Sequence, residues 1–332
     1  MDRFSLPLFA SMTAMPVPAT QSKFALSIIR WFDTWAGSQD ILPDVPHKID
    51  WMRCLPFLGL HLACFAVIWV GWSWFAVGWA VALYALRMLA ITGFYHRYFS
   101  HKSFKTSRGF QLVLAVAGNS AAQRGPLWWA GHHRHHHQAS DQPEDVHSPK
   151  HHGLLWSHVG WILSRPNFRT RLEHVPDLAR FAELRFLDRF DSLVPAVLIG
   201  AACALGAALD AWAPMLGVTA LQLGVWTLIS TVVLFHGTFT INSLSHLFGS
   251  RRFETPDTSR NNPLLAAITM GEGWHNNHHH SPRSARSGLA FYEFDPTWWM
   301  LIGLAKLGLI WDLHPVPVHV MERARIGRGA PR

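Results

Sequence analysis

Twenty-two of the 332 residues are histidine, and the informative ones fall in four tight sets. The first is His96-Arg-Tyr-Phe-Ser-His101. The second is His133-Arg-His-His136-His137. The third is His246, in Asn242-Ser-Leu-Ser-His246. The fourth is His275-Asn-Asn-His278-His279, preceded by Gly271-Glu-Gly-Trp. In an α-helix, residues i, i+3 and i+4 share a face, so each H-x-x-H-H set can aim three imidazoles into one volume. The H-x4-H pair differs. Five residues turn an α-helix by about 500°, leaving the two side chains about 140° apart, so they straddle a helix end or address different metals. Nine imidazoles exceed what one tetrahedral zinc uses and suit two metal ions with about four nitrogen ligands each. Imidazole serves iron, zinc and copper alike, so ligand type does not name the metal.

Plainer readings apply to the remaining histidines. His61 and His236 stand alone in apolar runs and read as structural. His132, His135 and His280 flank the sets, as residues of an adventitious metal-binding tract would. Three cysteines, Cys54, Cys64 and Cys203, lie in or beside apolar runs and form no C-x-x-C pair. This excludes a disulfide framework and a thiolate metal site.

Something must hold these sets together, and the hydropathy pattern supplies it. Four stretches can span about 30 Å of hydrocarbon as helices: about residues 54–72, 74–95, 193–209 and 216–241. The links between the first two and between the last two are short enough to require helical hairpins. Of the 29 Lys and Arg residues, only Arg87 lies inside a proposed span, and neither hairpin link carries one. The positive-inside bias therefore places both termini and the long middle segment in the cytoplasm. Even numbers of spans separate the four histidine sets, so all four land on that side. Arg87 is costly in a membrane and is expected to face the bundle interior. The shorter apolar stretches 109–118 and 298–311 read as buried or interfacial segments, and 24–35 reads as an amphipathic helix lying on the membrane.

Composition agrees. Hydrophobic residues make up 49% and charged residues 15% of the chain, against about 25% charged in soluble domains. Seventeen Trp suit membrane–water interfaces, and a net charge of +8 suits an anionic lipid surface or an acidic partner. No nucleic-acid motif accompanies that charge. No signal-peptide pattern is evident, so residues 1–50 read as part of the mature protein. The fold expected is an all-α membrane protein. Four transmembrane helices in two hairpins lie beneath a cytoplasmic helical cap that carries a histidine-rich di-metal site.

From about Pro56 to Pro315 the sequence resembles the membrane fatty acid desaturase family, in particular its acyl-CoA Δ9 (stearoyl-CoA-type) branch in a bacterial form. The resemblance rests on Gly93-Phe-Tyr-His-Arg-Tyr-Phe-Ser-His101, Trp129-Ala-Gly-His-His133-Arg-His-His-His137 and Ser157-His-Val-Gly-Trp161. It continues through Asn242-Ser-Leu-Ser-His246 and Gly271-Glu-Gly-Trp-His-Asn-Asn-His-His279. It implies a desaturase domain over 51–315; around it, residues 1–50 read as an N-terminal segment with the interfacial helix and 316–332 as a mobile basic tail. The family's di-iron ligands map onto His96, His101, His133, His136, His137, His246, His275, His278 and His279, with Asn242 contributing through water. One departure touches the acyl carrier. Animal acyl-CoA members carry an Arg-Asp pair before the second box, where this chain has Gly131 and His132. CoA, acyl carrier protein and an intact lipid all stay open.

The resemblance further implies an O2-dependent reaction on two Fe2+ ions, removing two neighbouring hydrogens to leave a cis double bond and water. The metals must carry this chemistry, because no side-chain acid or base breaks an unactivated C–H bond. The acyl chain, expected as acyl-CoA, would lie in an apolar tunnel. Glu272, Asn276, Asn277 and Asp141 are candidates to orient the imidazoles. Arg97, Arg134, Arg165 and Arg169 are candidates for an anionic head group. The chain lacks ferredoxin, cytochrome b5 and Rossmann signatures, so an external electron donor such as ferredoxin or cytochrome b5 with its reductase is expected. The expected location is the bacterial inner membrane, with the lipid bilayer as partner and no nucleic acid. The alternatives are a fatty acyl or alkyl hydroxylase with the same histidine-box chemistry, and a non-catalytic metal-handling membrane protein.

Overall fold

The computed structural model describes residues 23–37 and 48–326. The chain is mostly helical. Among the described residues, four helices are long and apolar enough to cross a membrane: Trp51–Val70, Trp74–Ser100, Leu193–Trp212 and Ala220–His246. The ends of these spans have local causes. The Asp50 carboxylate accepts from the Arg53 N–H and caps the first span. Gly71, at φ +67°, ends it, and Ser73 Oγ then accepts from the Ala76 N–H to open the second. The third span ends at Trp212, before the turn Pro214–Leu216. Gly217 sits in the left-handed region, and Thr219 caps the fourth span through the Gln222 N–H.

These bounds correct the sequence-based ones. The first span begins earlier than residue 54 because Asp50 caps it, and the fourth begins later than 216 because the turn before it consumes those residues. More important, the second and fourth spans run on past the hydrophobic stretch, through His96 and His246. Hydropathy falls there, but the backbone stays helical because the polar residues are buried against the cap. The short apolar stretches form the helices Arg108–Asn119 and Pro296–Lys306. The second of these stops short because Gly308 turns the chain into the strand Ile310–Trp311, which pairs antiparallel with Lys105–Thr106. The stretch at 24–35 forms the helix Lys23–Phe32. The expected mobile tail over 316–332 is corrected in part: Val318–Ile326 forms a helix that buries Val320, while the residues beyond 326, like the first 22, lie outside the described residues.

The second and fourth spans form the inner pair, 44% and 56% buried by residue, against 11% for the first and third. Small residues allow close crossings, the usual device where no hydrophobic effect drives helices together. A Cβ added at Gly206 would lie 2.5 Å from the Thr219 carbonyl oxygen and 2.9 Å from Ala220 Cα, so third and fourth spans touch backbone to backbone. Between second and fourth spans, Arg87 points inward as expected. Its guanidinium donates to Thr231 Oγ1 at 2.7 Å and Ser230 Oγ at 2.8 Å. Trp69, Trp72, Trp74 and Trp212 are exposed where the spans end away from the histidines, as an aromatic belt requires.

Candidate metal centre

The first histidine pair owes its geometry to an unusual helix. Ile91–Ser100 is a π-helix, continuing the second span. Its i→i+5 hydrogen bonding brings residue i+5 back over residue i, and the His101 N–H donates to the His96 carbonyl at 3.2 Å. The rings of His96 and His101 therefore meet, with centroids 4.9 Å apart. The 140° separation of an α-helix does not apply, and the two rings address one site rather than different metals.

The remaining sets divide between two groups. His96, His101, His133, His137 and His278 form one, with ligand atoms all within 4.8 Å of one another. His136, His246, His275 and His279 form the other. Adjacent helical residues diverge by about 100°, so the His-His doublets cannot share a target. On the helix Pro126–Ala139, the i,i+4 pair His133 and His137 enters the first group while His136 enters the second. On the helix His275–His280 the assignment reverses. His275 and His279 enter the second group, and His278 crosses to the first. Each H-x-x-H-H set thus serves a shared volume by straddling it. His246 arrives on the turn Leu244–His246 that closes the fourth span. Asn242 lines a cavity of about 40 Å³ together with His96, His133, His136 and His275.

Four carboxylates back these rings. Glu272 Oε2 lies 2.6 Å from His96 Nδ1, and Asp145 Oδ2 lies 3.0 Å from His136 Nδ1. Asp141 Oδ2 lies 3.2 Å from His246 Nδ1, and Asp257 Oδ2 lies 2.6 Å from His279 Nδ1. Glu272 and Asp141 were legible as candidates. Asp145 and Asp257 were missed, because each comes from a loop whose fold no local pattern announces. Asn276 and Asn277 do not touch the imidazoles. Asn276 Oδ1 accepts the N–H groups of Arg252 and Phe253, and Asn277 ties Asn261, Ser287 and Glu293 together. Asp145 also faces His147, whose ring stacks on His136 at 4.4 Å.

The arginines proposed for a head group behave differently. Arg97 is 1% exposed and fully engaged by Glu272, Asp295 and the Ala285 carbonyl. Arg134 grips Asp177 and the carbonyls of Phe99, Ser100 and His174. Both hold the cap together instead. Arg169 pairs with Glu173, and Arg165 is exposed. A Cβ at Gly131 would lie 2.8 Å from the Arg171 carbonyl oxygen, so no larger side chain fits there. His132 Nε2 is 3.1 Å from the Arg169 carbonyl.

Burial, reinforced by neighbouring imidazoles, pushes His101, His133, His137, His275 and His278 well below the ordinary histidine range. Burial also takes His279 down to about 4, although Asp257 opposes it. Asp145 is lowered as well, against its burial. Burial would raise it, but His136 and His147 hold it far below the usual carboxylate range. Those six rings are therefore neutral, with lone pairs available.

That arrangement suits a cation. Carboxylates at Nδ1 of His96, His136, His246 and His279 fix the ring protons there and turn those Nε2 lone pairs inward. Pairs of Nε2 atoms then face each other at 2.8 Å (His101–His133), 3.0 Å (His96–His278 and His137–His278) and 3.2 Å (His246–His275). Ring nitrogens this close share either a proton or a cation. Two nitrogens bound at right angles, about 2.1 Å from one ion, sit about 3.0 Å apart. Both groups can hold a metal ion. Beside them a cavity of about 400 Å³ reaches His133 and Asn242 between apolar walls from the first, third and fourth spans.

The comparisons with known proteins point the same way. The profile of the fatty acid desaturase family matches residues 72–310. The chain is 36% identical to the sn-1 stearoyl-lipid 9-desaturase of Anabaena variabilis, over 79% of this chain and 93% of that relative. It is 36% identical to the sn-2 palmitoyl-lipid 9-desaturase of Nostoc sp. (strain 36), over 79% and 89%. It is 35% identical to the icosanoyl-CoA 5-desaturase of Limnanthes douglasii, over 78% and 71%. With its spans, its paired histidine groups and these relatives, the chain belongs to the fatty acid desaturase family, whose members are oxidoreductases.

Proposed function

We propose that this protein is a di-iron, O2-dependent desaturase that introduces a cis double bond, at the ninth carbon, into a saturated fatty acyl chain. The observation that carries the reading is the pair of adjoining imidazole groups beside a cavity with apolar walls. Each group has room for one ion, and the cavity has room for a chain to pass them. His96, His101, His133, His137 and His278 would hold one iron. His136, His246, His275 and His279 would hold the other, with Asn242 contributing through water. When bound, the two irons supply the O2 activation that breaks unactivated C–H bonds.

The chain's own residues do the positioning. Glu272, Asp145, Asp141 and Asp257 hold the ring protons at Nδ1 and aim Nε2 inward. Phe57, Phe235 and Phe239 form an apolar wall that excludes water and holds the acyl chain beside the site. The spans pair as two hairpins, with the histidine cap and both termini in the cytoplasm of a bacterial inner membrane. The helix Lys23–Phe32 lies at the interface, which its apolar face and Arg30 suit. Electrons come from an external ferredoxin- or cytochrome b5-class donor docking on the basic cytoplasmic face. The histidine boxes are compatible with acyl-CoA, the carrier of the resembling branch, and with other carriers.

Fatty acid analysis of cells expressing the protein tests the reading. A new monounsaturated species with its double bond at carbon nine is the expected product. A hydroxylated chain instead, or an unchanged profile from iron-loaded protein with reductant, would refute it.

A further inference from the structure

The large cavity changes character along its length. About two turns into the first span its wall is Phe57 and Leu60, and in the third span it is Ile199. Where those spans begin, the lining turns polar. Among the described residues, the charged side chains that line the cavity, histidines aside, are Arg30, Arg53, Arg124 and Asp191. They form one cluster. The guanidiniums of Arg53 and Arg124 lie 4.2 Å and 5.7 Å from the centroid of the same Phe168 ring, and Arg124 Nε is 3.4 Å from Asp191 Oδ2. Backbone carbonyls fix each arginine. Arg53 Nη2 donates to Thr34, Arg124 Nη2 to Phe168, and Arg30 to Ala36 and Gly37.

The depth of the cluster matters. Arg53 is the third residue of the first span, and Asp191 comes two residues before the third. This is the membrane–water interface, where lipid phosphates lie. The cluster is also enclosed, with Arg53 6% and Asp191 8% exposed. Whatever it binds must carry negative charge close to the point where its acyl chain enters the cavity. A glycerophospholipid meets this condition, because one glycerol unit joins phosphate to acyl ester. A CoA thioester does not, because its phosphates lie beyond the whole pantetheine arm.

Building on the desaturase reading, we propose that Arg124 and Arg53 form an anion site for the phosphate of a membrane glycerophospholipid. The acyl chain oxidised is then the lipid's own, presented from the bilayer.

The test uses purified, iron-loaded protein with O2 and a reducing system. Three substrates are compared: distearoylphosphatidylglycerol in vesicles, uncharged distearoylglycerol in the same vesicles, and stearoyl-CoA. The phosphatidylglycerol chains should be desaturated about tenfold faster than either other substrate, the worth of one charge-assisted contact. Arg124→Gln should cut the preference for phosphatidylglycerol over distearoylglycerol to within about threefold, and Arg124→Lys should restore most of it. Faster turnover of stearoyl-CoA overturns the substrate class. A preference that Arg124→Gln leaves unchanged, or equal loss on both lipids, overturns the anion site. No product from any substrate overturns the desaturase reading itself, and this inference with it.

Discussion

His278 occupies the centre of the five-membered group, with its Nε2 3.0 Å from both His96 Nε2 and His137 Nε2. His278→Ala should abolish turnover while leaving membrane insertion intact, measured by product analysis and by recovery of the variant in the membrane fraction. Retained activity would contradict its assigned role. The carboxylates act one step back. Asp257→Asn removes the charge that fixes the His279 ring, and an about 10- to 100-fold loss of metal affinity or activity is expected. A metal titration of the variant checks it. Acidity gives a further outcome. In the unfolded chain a histidine takes a proton near pH 6.5, but in the folded protein His279 does so only near 4 and His147 near 3. Below about pH 6.5 the unfolded state binds more protons, so stability falls as pH drops towards 4. Thermal unfolding of chelator-stripped protein should show Tm falling steadily over that window, and a flat or rising Tm would contradict this. The imidazoles were legible because helical spacing is local. Asp145 and Asp257 were not, because their partners lie 9 and 22 residues away across loops.

At the scale of elements, the spans were legible from hydropathy and their inner ends were not. Hydropathy stops at polar residues, whereas His96 and His246 continue the helices because the cap buries them. The π-helix over Ile91–Ser100 was equally hidden, since ordinary helical angles put His96 and His101 on different faces. His61 and His236 read as isolated, yet their Nε2 atoms are 3.2 Å apart and His236 Nδ1 is 3.0 Å from His158 Nε2. The chain of three links first span, fourth span and cap. The crossing of the third and fourth spans gives the clearest prediction. At Gly206 the obstructing atoms are backbone and cannot swing aside. Gly206→Val should therefore destabilise the protein by about 1–3 kcal/mol, read as a lowered Tm in detergent. Gly200→Val is the control, because nothing lies within 4 Å of its added Cβ.

The whole molecule places chemistry at one end of a bundle and apolar surface around the rest. Hydropathy and histidine spacing made the four spans and the histidine groups at their ends legible, and the short links and the distribution of Lys and Arg add an expected sidedness. The shape of the cavity was not readable, because its walls come from three spans that meet only in the fold. Reporter fusions should place residues 213–219 on the membrane face opposite the segment 140–160. A same-side result would break the two-hairpin arrangement. The account's central claim is that two ions sit among the nine imidazoles. The most direct measurement is the iron content of purified protein set beside its product. Two iron ions per chain and a monounsaturated fatty acid are predicted. A single ion per chain, or a fully active protein free of iron, would contradict the account.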